Sequence, residues 1–157
     1  MKIIRVMLGC VVIACAGPAF AQKPCSKPDS SAAEKAIERV VSWQNLQKTY
    51  TDYRHCDSGP VEDLFTDALM RMMIGWKNID VVAAAMAKDA DYKAWVDKHL
   101  MSPAAKDDRE DLYALAKKNC PAKQEAFCAG LTELLKPPKA QKLEPLNLEP
   151  LKSFEIK

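Results

Sequence analysis

Between Val61 and Trp76 the apolar residues Val61, Leu64, Phe65, Ala68, Leu69, Met72, Met73 and Trp76 fall at i, i+3, i+4, i+7, i+8, i+11, i+12 and i+15. A helix brings those positions onto one face and a strand does not, so the stretch is expected to be an amphipathic helix with that face buried. Pro60 pre-sets the first turn, and Glu62 and Asp63 complement the positive end of the helix dipole. The pattern predicts the central core helix. Leu69 and Trp76 belong to its buried stripe, whereas Met70 and Arg71 fall off that face, where they are free to touch a partner.

Helical signals dominate the rest of the chain. Ser31-Ala-Ala-Glu34 has the form of a capping box, opening a helix to about Tyr53 with Ala36, Val40, Trp43, Leu46, Tyr50 and Tyr53 as its stripe. Arg54 to Gly59 interrupts it. Asp80 to Ala87 reads as a short helix, and Asp89 caps another that turns Tyr92, Trp95, Val96, His99 and Leu100 inward. Either Ser102-Pro103 or Asp107-x-x-Glu110 starts a third, running to about Asn119. Pro121 opens a last helix with Phe127, Cys128, Leu131, Leu134 and Leu135 facing in, and Lys136-Pro137-Pro138 ends it. The expected fold is all-α, a single compact, disulfide-stapled bundle of about five to six helices. It occupies residues 31–136, after an irregular lead-in at 22–30 rich in Pro, Ser and Lys. Residues 137–157 form a tail containing Leu143-Glu-Pro-Leu146 and Leu148-Glu-Pro-Leu151. Its prolines favour an extended backbone, either a flexible tail or an arm that docks its leucines on a partner or on its own domain.

The N-terminus has a different design. Lys2 and Arg5 precede an apolar run from Val6 to Ala16, a Gly17-Pro18 break and the small residues of Ala19-Phe20-Ala21. These are the parts of a secretion signal, predicted to cover residues 1–21 and to be cut before Gln22. The run is about half the ~20 residues a membrane span requires, so no span is expected. Val12-Ile13-Ala14-Cys15 also has the form of a lipobox, which makes a lipid anchor on Cys15 the alternative; either way the location is the periplasm or beyond. Of the 23 basic residues, Lys2 and Arg5 lie in this segment and no acid does, so the remainder balances 21 bases against 21 acids. Neutral balance without a basic run argues against a nucleic-acid partner.

Beyond the signal, Cys25, Cys56, Cys120 and Cys128 remain, and an oxidising compartment implies two disulfides with three possible pairings. A helix starting at Pro121 would hold Cys120 and Cys128 about eight residues, or roughly 12 Å, apart, past the ~7 Å limit for a bridge. The expectation is then that Cys56 pairs with one C-terminal cysteine and Cys25 with the other. An irregular loop after Pro121 would restore the local pair.

No catalytic signature stands out. The chain has two histidines and five glycines, and no nucleophile elbow, phosphate-cradling loop, H-E-x-x-H or C-x-x-C. His55, between Arg54 and the Cys56-Asp57 pair, suggests a metal or an activated thiol, but helix-end neighbours point apart and a bridged cysteine does not ionise. His99 falls on an inward face and reads as a packed core histidine. The acid groups Glu62-Asp63-Asp67 and Asp107-Asp108-Glu110-Asp111 sit in or near first helical turns, where carboxylates stabilise the dipole without doing chemistry. Met72 and Met73 belong to the core stripe rather than to a soft-metal surface. The reading is of a protein that is not an enzyme, without cofactor, metal or catalytic residues.

Tyr50-x-x-Tyr-Arg-His-Cys-Asp-x-Gly59 followed by the core helix, together with Cys120-Pro121 and Cys128, resembles a group of small exported proteobacterial proteins. The layout from Ser31 to Leu135 is similar to the Rap/Tai type of immunity proteins. Those are helical, disulfide-containing periplasmic binders that neutralise peptidoglycan-cutting toxins of type VI secretion systems. The resemblance implies an inhibitor or immunity protein with a toxin or cell-wall hydrolase as its protein partner. It supplies no residue-level inhibitory motif, and the lead-in and the Leu-Glu-Pro-Leu tail depart from it. A small hydrolase of cell-wall material, using His55 or the acid-rich helix starts, and a periplasmic chaperone-like stress protein are the alternatives.

Overall fold

A computed structural model describes residues 23–137. The expected secretion signal with its expected cleavage point, Cys15, and the tail from residue 138 onward lie outside them. The described residues form seven α-helices, α1 Lys27–Ile37, α2 Trp43–Tyr53, α3 Pro60–Ile74, α4 Ile79–Lys88, α5 Ala90–Leu100, α6 Arg109–Lys118 and α7 Glu125–Leu134. Two 3-10 turns, Arg54–Cys56 and Pro103–Ala105, link them, and no strand occurs among the described residues. The all-α expectation holds, with one or two more helices than expected.

The extra helices come from the first third. The lead-in at 22–30 is helical from Lys27, because Ser26 is the true cap: its hydroxyl accepts from the Asp29 amide at 3.2 Å, and Pro28 lies in the first turn where a proline costs no hydrogen bond. Ser31 is therefore inside α1 and forms no capping box. The helix expected from Ser31 to Tyr53 is split at residues 38–42. Ser42 takes the extended conformation and caps α2 through the Asn45 amide at 3.2 Å, offering the backbone an alternative to continued helix just after the β-branched pair Val40-Val41. Further on, Asp89 caps α5 as expected, accepting from the Tyr92 amide at 2.9 Å.

Helix α3 is the centre of the bundle, packed against α1, α2, α5 and α6. Val61, Phe65, Ala68, Leu69 and Met73 of its stripe are buried, while Leu64 and Met72 are half-buried and pack around the core; Trp76, expected to close the stripe, instead lies past the Gly75 cap in a turn at a φ of 49°, half-buried against the core. Met70 corrects the expectation: it is only 2% exposed. A helix covered on several sides buries more than one stripe, so Met70 and Thr66 are core residues too. Arg71 does reach solvent, paired with Asp67 at 3.0 Å. All five inward positions of α5 are buried, and Trp95 lies among Tyr50, Phe65, Tyr92 and His99 with ring centroids 4.5–5.6 Å away. Two indoles tie remote turns: Trp43 Nε1 donates to the Lys77 carbonyl at 2.8 Å, and Trp76 Nε1 to the Asn119 carbonyl at 2.9 Å.

The disulfides pair Cys25 with Cys56 and Cys120 with Cys128, which corrects the expected long-range pairing. The physical reason is the segment after Pro121. Residues 121–124 form a turn, closed by the Gln124 amide on the Pro121 carbonyl at 3.1 Å with Lys123 at a φ of 70°, and α7 begins only at Glu125. The turn brings the Cα atoms of Cys120 and Cys128 to 6.0 Å, within bridging range. No helix among the described residues is long and apolar enough to cross a membrane.

Candidate functional site

Two places in this bundle collect groups with chemical or binding potential. The first lies where α3, α5 and the turn after the Arg54–Cys56 segment meet. Thr66 sits one turn after Glu62 on α3 and donates its hydroxyl proton to the Glu62 carbonyl at 3.0 Å. His99 of α5 places Nδ1 2.7 Å from the same hydroxyl oxygen and Nε2 3.2 Å from Asp57 Oδ2. Lys98, beside His99, donates to Asp57 Oδ2 at 2.9 Å and reaches Glu62 at 3.0 Å. Burial pushes the Asp57 carboxyl up, but the hydrogen bonds and positive charge of His99 and Lys98 outweigh it and hold it below the usual carboxylate range. Burial likewise pulls the Lys98 ammonium down, and Asp57 and Glu62 more than reverse it.

A hydroxyl, an imidazole and a carboxylate in sequence have the order of a nucleophile relay. An ionised Asp57 only accepts, so Nε2 is the donor to it, and the single Thr66 hydroxyl proton has two acceptors within reach, the Glu62 carbonyl and Nδ1, of which it serves one at a time. The arrangement is sealed, however. His99 is 0% and Thr66 1% exposed, so no substrate carbonyl reaches the hydroxyl and no leaving group reaches the imidazole. The relay cross-links α3, α5 and the turn. Outside it, a polar cleft of about 440 Å³ is lined by Tyr50, Arg54, Asp57, Asp91, Trp95 and Lys98. Arg54 donates there to the Tyr50 hydroxyl at 3.3 Å and lies 3.7 Å from Asp91.

The remaining candidates are dispersed. His55 is half-buried with Nε2 3.7 Å from Asp29, and Lys23 and Ser26, hydrogen-bonded to Asp29, lower that carboxyl to about 2. Cys56 beside it is bridged, so it is no thiol nucleophile. Glu62, Asp63 and Asp67 separate: Glu62 joins Lys98, Asp67 joins Arg71, and Asp63 is exposed. Asp107, Asp108, Glu110 and Asp111 are all exposed around the start of α6. Among the described residues no three His, Cys, Asp or Glu side chains come together as a metal site.

The second place is a groove of about 660 Å³ between α4, α5 and α7. Ala83 and Met86 of α4 and Phe127, Leu131 and Leu134 of α7 give it an apolar floor, and Lys93, Asp97, Lys123 and Glu133 rim it with both signs of charge. Lys93 and Asp97 pair along α5. Phe127 and Leu134, expected to face the core, are half-buried and turn partly into the groove, while Cys128, Leu131 and Leu135 are buried. Gly130, in the middle of α7, also lines it, and a Cβ there would meet nothing within 4 Å. Sequence reading missed this groove. Its one available signal was that glycine, since Gly inside a helix costs roughly 1 kcal/mol relative to Ala and needs a reason.

Compared with known proteins, the chain matches no family model, no curated protein and no solved structure.

Proposed function

We propose that this chain is a non-catalytic binding protein of the cell envelope, most concretely an inhibitor or immunity protein that neutralises a toxin or cell-wall hydrolase. The carrying observation is the α4–α5–α7 groove: a concave apolar floor with a mixed-charge rim, whose α7 wall is tied near its start to the end of α6 by the Cys120–Cys128 bridge. Such a surface suits a few packed anchors from a partner, with the rim setting orientation. Burial of the Thr66–His99–Asp57 relay supports the same reading, since this polar constellation cross-links helices instead of facing a substrate. Two disulfides fit an oxidising compartment and, with the expected signal, the periplasm.

Protection of cells from a periplasmic hydrolase encoded beside this gene, with affinity measured by calorimetry, tests the proposal. Gly130→Leu fills the groove while improving helix propensity, and is expected to weaken binding about tenfold or more, a loss of ~1.4 kcal/mol. Retained affinity in that variant would move the binding surface elsewhere. The second arm is turnover of purified cell wall by the chain alone. Turnover that disappears in a folded Asp111→Asn or His55→Gln variant would replace the proposal with a hydrolase.

A further inference from the structure

We propose that the polar cleft between α2, α5 and the turn at Asp57 binds a free α-amino acid in its zwitterionic form, with the ammonium on Asp57 Oδ1 and the carboxylate on Trp95 Nε1 and Arg54. At about 440 Å³ the cleft is within the ~300–1,000 Å³ usual for small-molecule sites. It lies on a different face of α5 from the groove: Asp91, Ala94, Trp95 and Lys98 line the cleft, Lys93 and Asp97 the groove. The site is therefore independent of the inhibitor reading.

Unspent hydrogen-bonding groups point to a ligand. Asp57 Oδ2 is shared by His99 and Lys98, but among the described residues Oδ1 of the same carboxylate is buried without a partner. Trp95 Nε1 is likewise buried without an acceptor, whereas the indoles of Trp43 and Trp76 each donate to a carbonyl. Both side chains are more than nine-tenths buried, and both line the cleft. A buried polar atom without a partner costs stability, and a ligand that pairs it returns that cost as affinity. An ionised carboxylate only accepts and an indole only donates, so the ligand brings a donor to Asp57 and an acceptor to Trp95. Neither atom is reached by solvent, so entry needs the half-exposed Arg54 and Lys98 side chains to swing outward.

Charge selects among such ligands. The lining holds two cations, Arg54 and Lys98, and two carboxylates, Asp57 and Asp91, so a ligand without net charge keeps the balance. Lys98 is engaged by Asp57 at 2.9 Å and by Glu62 at 3.0 Å. Arg54 is less committed: it donates to the Tyr50 hydroxyl at 3.3 Å and stands 3.7 Å from the exposed Asp91, which leaves guanidinium donors for a carboxylate. A molecule with an ammonium for Asp57 and a carboxylate for Arg54 makes charge-assisted bonds at both ends, and a neutral amide makes them with weaker groups of its own.

Titration of the whole chain, after removal of the expected signal, with L-alanine tests the proposal by NMR of the indole N–H resonances. The expected result is a saturable shift of the Trp95 indole at millimolar ligand, with the Trp43 and Trp76 indoles unmoved. Removing either charge from the ligand leaves the protein untouched, so N-acetyl-L-alanine and L-alaninamide are each expected to bind about tenfold or more weakly. Arg54→Gln should weaken L-alanine to a similar degree while unfolding like wild type. No saturable shift of Trp95, or equal shifts of all three indoles, would overturn the proposal. Propionamide binding as tightly as L-alanine would also overturn it and assign the cleft to a neutral amide, and acetate binding as tightly would assign it to a simple anion.

Discussion

His99 Nε2 lies 3.2 Å from the same Asp57 oxygen that Lys98 holds at 2.9 Å, so one carboxylate atom ties consecutive side chains of α5 to the turn beyond Cys56. The imidazole's other nitrogen reaches Thr66 of α3, so that His99 bonds both Asp57 and Thr66. Replacing His99 with leucine keeps the volume but leaves Asp57 with Lys98 alone. Breaking a buried, hydrogen-bonded charge contact of this kind is expected to cost about 2 to 4 kcal/mol. Urea unfolding of the variant measures it, and a loss below about 0.5 kcal/mol would mean that the relay contributes little.

Acid should act through the same oxygen. The Asp57 carboxyl is held below its unfolded value of ~3.9, so its ionised form stabilises the fold above that value and the contribution is lost as pH falls through the folded pKa. Wild type is expected to be more stable than Asp57→Asn at neutral pH, the two converging as pH falls through the lowered folded pKa of Asp57. Unfolding midpoints measured across the acid range give the answer; a constant difference between the two proteins would assign the effect to another carboxylate.

Leu69 and Met70 are adjacent on α3 and both buried, at 0% and 2% exposure. Alanine at either position is expected to cost about 2 to 5 kcal/mol, because each leaves a cavity in a helix covered on several sides. Denaturation of the two variants side by side is the check. A Met70→Ala loss below about 1 kcal/mol would restore the single-stripe picture of this helix.

The bridges close loops of different length, with sequence separations of 31 and 8. Loop-closure entropy gives about 3.7 kcal/mol for Cys25–Cys56 and about 2.5 kcal/mol for Cys120–Cys128. Replacing each pair by serine should therefore destabilise in that order, read from guanidinium midpoints, and a non-reducing peptide map should find these two pairs. Any fragment joining Cys25 or Cys56 to a C-terminal cysteine would contradict the pairing.

Much of this was legible because helical periodicity is a local property. The stripe of α3, the Asp89 cap and all five inward residues of α5 follow from spacing and short side-chain chemistry alone. The misses have tertiary or competing local causes. Ser26 and Ser42 won their caps over Ser31, whose Ser-x-x-Glu spacing is equally good on paper. Met70 is buried by neighbouring helices that its own sequence neighbourhood does not specify. The relay needed Asp57, Thr66 and His99 to meet across separations of 33 and 42 residues, and the groove needed the relative placement of α4, α5 and α7. The Cys120–Cys128 pair was hidden by treating Pro121 as the first residue of a helix rather than of a turn.

The bridge pattern bears on how such a chain matures. Among the described residues each cysteine is joined to the next one along, so the two covalent loops neither overlap nor enclose one another. If the chain emerges N-terminus first into an oxidising space, an oxidant acting on thiols in order of arrival makes Cys25–Cys56 while Cys120 is still behind the translocation channel. The later pair then meets no competing thiol. A chain so wired reaches its correct pairing without an isomerase to edit it, and its exposure to mispairing falls on refolding from the reduced state, when the thiols of Cys25, Cys56, Cys120 and Cys128 are all present at once.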